Sequence, residues 1–174
     1  MDEGMAEAPV RPTVLQTSGM LVAIIVGMVA YATLCSLAGV TMLHGGFIFL
    51  FYWAGIRAAA SADFLPSLVG ALGGTGLAYL VVTLPEQMGA TGYAIIGVGV
   101  LACIFMMIRG HVPLLINNAF MLYLTVFTIA GAVTPNDFWQ IPVSLLIAAG
   151  LAAILMAVGK ILAARAASPQ AVSQ

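Results

Sequence analysis

Charge is what this sequence has least of. It holds 5 Lys or Arg and 6 Asp or Glu among 174 residues, 6% of the chain, where a soluble domain carries about a quarter. Histidine and cysteine are scarcer still, with 2 of each, far apart. These absences exclude whole classes of function. So few cations cannot assemble a surface for nucleic acid. The carboxylates are too few for a calcium or two-metal site, and the His and Cys positions fit no structural zinc site. No metal or cofactor is therefore expected. Ser36, Ser67 and Ser144 have no His–carboxylate partner at a matching depth, so the chain does not read as an enzyme.

What fills the chain instead is apolar: 63% of it is hydrophobic. No soluble fold of this size covers such a composition with a polar surface. The expected fold class is an all-α polytopic integral membrane protein with membrane lipid around it. A helix needs about 20 apolar residues to cross the hydrocarbon core. Six stretches are candidates, the second of them short, at about residues 20–43, 46–61, 66–85, 91–108, 113–133 and 141–163. Barrel strands would alternate apolar and polar residues, whereas these stretches are apolar on all sides. The expected organisation is a six-helix transmembrane domain over 19–166, between disordered cytoplasmic tails at 1–18 and 167–174.

The few cations set the orientation. With six spans, Arg11, Arg57, Arg109, Lys160 and Arg165 all fall on one side, and the other connections hold none. The positive-inside rule then places both termini on the cytoplasmic side. The acidic leader (Asp2, Glu3, Glu7) and the long first apolar run argue against a cleaved signal peptide. Cys35 and Cys103 sit within spans and read as small buried hydrophobes.

Two segments look alike. Asp63-Phe64-Leu65-Pro66-Ser67-Leu68 opens the third span, and Asp137-Phe138-Trp139-Gln140-Ile141-Pro142-Val143-Ser144-Leu145 opens the sixth. Two readings fit. One is a 3+3 inverted repeat of the kind that builds transport paths. The other is ordinary helix-start chemistry, an Asp near the cap and a Pro in the first turn.

Polar groups within spans are costly and tend to be paired or functional. Arg57, after a short second span, reads either as an interfacial anchor or as a pore-lining cation. Asn117 and Asn118, one to two turns into the fifth span, read as interhelical glue or as pore lining, with Thr125 further along. Trp53 lies mid-span, either packed or at an aromatic constriction, while Trp139 suits an interfacial anchor. His44 and His111 fall in connections on opposite faces; His44 is a candidate pH-sensitive gate. Gly70, Gly73 and Gly74 form a small face for close helix packing. No span carries a carboxylate at its centre, which favours a passive path over a proton- or sodium-coupled one.

Trp53-Ala54-Gly55, Val112-Pro113 and Pro142-Val143-Ser144-Leu145 resemble a family of small bacterial inner-membrane proteins, domain of unknown function 1097, over about residues 40–160. The resemblance implies an inner-membrane location and carries no activity. The functional expectation is a channel or facilitator for a small polar solute, neutral or anionic, in a homo-oligomer. A gradient-coupled secondary transporter and a non-transporting accessory subunit are the alternatives.

Overall fold

The computed structural model describes residues 13–129 and 131–167. Arg11 and most of the two expected tails lie outside them. The described residues are helical without strands: α1 (Val14–Leu37), α2 (His44–Leu50) continued by a π-helical segment (Phe51–Ile56), α3 (Ser61–Met88), α4 (Ala90–Ile108), α5 (Asn118–Phe127), a 3₁₀ turn (Pro135–Asp137) and α6 (Gln140–Ala167). Four of these helical stretches are long and apolar enough to cross a membrane. They fall on the first, third, fourth and sixth expected spans. α1 starts at Val14, so 14–18 of the expected N-terminal tail are helical.

The fifth expected span is much shorter than the hydropathy implied, and the second, already short, is shorter again. α2 and its π extension cover His44–Ile56, and α5 is only Asn118–Phe127. Their shortness has local causes. α1 stops at Gly39, whose φ of 71° is open to glycine. There Gly39 N–H donates to the Ser36 carbonyl and Val40 N–H to that of Cys35, a Schellman motif. α4 stops the same way: Gly110 has φ 66°, its N–H reaches the Met107 carbonyl, and His111 N–H reaches that of Met106. The chain then has to turn before the next helix begins. At the far end of α2, the π segment gives way to Ala58 and Ala59, both left-handed at φ 51° and 54°.

The short helices are seated on the long ones. α2 packs on α6 and α5 on α3, while α1 lies along α6 and α4 along α3. Small residues make the first two contacts close. A β-carbon at Gly74 would fall on the Phe120 carbonyl oxygen, and one at Gly70 on the Asn117 amide. At the other contact, Gly45 and Gly46 leave no room for a β-carbon beside Ser144 and Ala148. Numbering rises together along both contacts, so each short helix runs in the same direction as its partner. The core between them holds Phe49, Tyr123, Phe127, Ile141 and Leu145.

Candidate functional site

Where a helix breaks inside an apolar bundle, its freed backbone groups need partners. Here side chains from distant elements supply them. Tyr31 Oη donates to the Leu43 carbonyl at 2.6 Å, just before α2. Tyr123 Oη donates to the Gly45 carbonyl in the first turn of α2. Gln140 Oε1 accepts from Thr41 N (2.8 Å), Thr41 Oγ1 (3.0 Å) and Met42 N (3.2 Å). Its Nε2 donates to Asp137 Oδ1 at 3.0 Å, and Asp137 Oδ2 accepts from Thr134 Oγ1 at 2.6 Å. Ser144 Oγ accepts from Gly46 N at 3.2 Å. After the π segment, Trp53 Nε1 donates to the Ala60 carbonyl at 3.0 Å.

Asn117 does the same for α5. Its backbone is extended and its Oδ1 accepts from Ala119 N (2.9 Å) and Phe120 N (3.2 Å), an N-cap. Its Nδ2 donates to the carbonyls of Pro66 (2.8 Å), Pro113 (3.1 Å) and Leu114 (3.1 Å). The cap explains a correction to the expected placement. Asn117 stands before α5 and Asn118 is its first residue, because the capping amide starts the helix instead of sitting a turn or two inside it.

At this end of the bundle a cavity of about 560 Å³ opens between the π segment, the start of α3 and the α4–α5 connection. Arg57, Asp63, Ser67, Tyr52, Asn117 and Asn118 contribute to its wall. Arg57 Nη2 meets Asp63 Oδ1 at 2.7 Å, and both side chains stay partly exposed. The hydrogen bond to the Asp63 carboxylate raises the Arg57 guanidinium above its ordinary value, so the charge is held. Left-handed non-glycine residues mark both connections beside the cavity, Ala58–Ala59 on one and Val112 (φ 51°) on the other. Such backbone is sparsely populated, most of all for a β-branched residue, and it collects at functional sites.

The expected site residues do not all come together. Arg57, Asn117 and Asn118 share the cavity. Trp53 is buried away from it, packed on Phe49 and edge-on to Phe64. Thr125 is exposed on α5 with its hydroxyl on the Met121 carbonyl of its own helix. His44 opens α2 at the opposite end of the bundle from Arg57, half-buried with its ring 5.4 Å from that of Phe127. Gly70, Gly73 and Gly74 all face α5 or the turn before it. The hydrogen-bonding residues Tyr31, Tyr123 and Gln140 escaped sequence reasoning, since a lone polar side chain in an apolar run does not announce its partner. No protein-family model, no curated protein and no solved structure matches this chain.

Proposed function

We propose that the chain is a membrane channel or facilitator for a small polar solute, with the cavity at Arg57 as one mouth of the path. The observation that carries this reading is the convergence of Arg57, Ser67, Tyr52 and Asn118 on one cavity beside two interrupted helices. Interrupted helices at membrane depth are tolerated where they are enclosed by protein or line a wet cavity, and they are a recurring device of transport proteins. α2 with its π segment would be about 20 Å long and α5 about 15 Å, against a core of about 30 Å. The turns at 38–43 and 109–117 would complete the two short crossings, giving six.

The same reading makes the two halves an inverted repeat. Exchanging α1, α2 and α3 with α4, α5 and α6 maps the main packing pairs onto one another: α2 on α6 becomes α5 on α3, and α1 on α6 becomes α4 on α3. The matching glycine stops at Gly39 and Gly110 support it. So do Asp63 and Asp137, each close to the start of the third helix of its half. Arg57 and the Arg109–Gly110 turn lie at the cavity end, which the positive-inside rule would place in the cytoplasm. α1 and α4, exposed along most of their length, would face lipid or a second copy of the chain.

Purified full-length chain in proteoliposomes tests this. Urea, small amides, polyols and small carboxylates are followed by stopped-flow light scattering. At least one solute is expected to enter faster than into protein-free vesicles, without an ion gradient. No uptake across the panel would overturn the channel reading, and uptake only under a proton or sodium gradient would replace it with coupled transport.

A further inference from the structure

Resting on the reading of this cavity as part of a solute path, we infer that it admits uncharged solutes with both hydrogen-bond donors and acceptors, the class of urea and small amides, and that Asp63 keeps anions out.

Three features of the wall carry this. The first is the pairing of its only cation. Arg57 is bonded to Asp63, so the pair presents donors and an acceptor without net charge. The second is the two helix starts at the cavity. A helix N-terminus carries partial positive charge and by itself attracts anions. Here both are already answered: Asp63 stands in the first turn of α3, and Asn117 Oδ1 takes the Ala119 and Phe120 N–H groups of α5.

The third feature is a set of hydroxyls without protein partners. Ser67 is 3% exposed and Tyr52 is 8% exposed, yet neither hydroxyl makes a hydrogen bond among the described residues. No enclosed side-chain oxygen or nitrogen among those residues lacks a partner. The two hydroxyls must therefore keep their remaining access through the cavity they line. A buried hydroxyl without a partner is costly, and a solute passing through the cavity supplies one. Asn118 adds an amide with no hydrogen bond among the described residues, whereas the Asn117 amide is fully spent on backbone groups. Hydroxyls and an amide each donate and accept, which suits a neutral solute with both kinds of group better than an acceptor-only anion.

The test uses the full chain in liposomes with urea and acetamide as neutral probes and formate and chloride as anions. Urea and acetamide are expected to pass, with formate and chloride no faster than in protein-free vesicles. Ser67→Ala and Tyr52→Phe should each lower urea flux about three- to tenfold, the effect of one hydrogen bond. Asp63→Asn should raise formate flux at least about tenfold by exposing the Arg57 charge, and Arg57→Gln with Asp63→Asn should abolish that gain. Formate or chloride passing the wild type as fast as urea would overturn the selectivity and leave the path standing. No flux of any probe would overturn both. If Asp63→Asn does not fold, the wild-type ratio of urea to formate flux still decides the question.

Discussion

The side-chain amide of Asn117 donates to the carbonyl oxygen of Pro66 at 2.8 Å, tying the start of α5 to the start of α3 across 51 residues of chain. Its neighbour Asn118 lines the same cavity and makes no side-chain hydrogen bond among the described residues. Two adjacent asparagines thus have separable jobs. Asn117→Ala removes an N-cap and an interhelical hydrogen bond together, an expected loss of about 2–3 kcal/mol. Asn118→Ala should stay within about 0.5 kcal/mol of wild type while lowering solute flux. Unfolding in detergent, followed by circular dichroism, separates the two variants. Equal stabilities would refute the assignment.

Glycines on α3 differ by what they face. At Gly74 a methyl group would meet the Phe120 carbonyl, and backbone cannot step aside. At Gly76 it would meet nothing within 4 Å. Gly74→Ala should therefore lower the yield of folded protein sharply. Gly76→Ala should be neutral or stabilising by up to about 1 kcal/mol from helix propensity. Fluorescence-detected size exclusion of the two variants compares them directly.

The phenol of Tyr123 and the amide of Gln140 serve the backbone around the start of α2. Tyr123→Phe keeps the ring packing and removes the hydrogen bond to the Gly45 carbonyl, an expected cost of about 0.5–1.5 kcal/mol. Gln140→Leu strands the Thr41 and Met42 N–H groups together and should cost more than Tyr123→Phe. Thermal unfolding of both variants in the same detergent gives the order. A Gln140→Leu protein as stable as wild type would contradict this account of how α2 is held.

The proposed six crossings would place the two ends of the bundle on opposite sides of a membrane. His111 lies in the turn beside the cavity and Asn136 in the 3₁₀ turn at the other end, both exposed. In a Cys35→Ala, Cys103→Ala background, His111→Cys and Asn136→Cys should react with a membrane-impermeant maleimide from opposite faces. Spheroplasts and inverted vesicles supply the two faces. Labelling of both positions from one side would refute the six-crossing arrangement.

Much of this molecule is legible in its sequence because hydropathy is a property of single residues summed over a window. That sum alone yields an all-helical chain and, among its six expected spans, the four that are long apolar helices. It fails at residues 44–56 and 118–127, where it sees apolar runs and cannot see the interruptions. Those interruptions have a local part, the glycine stops at Gly39 and Gly110 that a window average does not weigh, and a part that joins distant segments. Ahead of α2, the Thr41 and Met42 N–H groups are taken by Gln140, 99 and 98 residues away. The start of α5 is part local, in its Asn117 cap, and part tertiary, in the hold on Pro66. Arg57 shows the same division. Its position in the chain marks it as a cation near a helix end, but only the fold brings Asp63 to 2.7 Å from it and Ser67 and Tyr52 to the same cavity. A lone side chain states what it can bond to. Which group it bonds, and which is left open to a solute, is decided when distant segments meet.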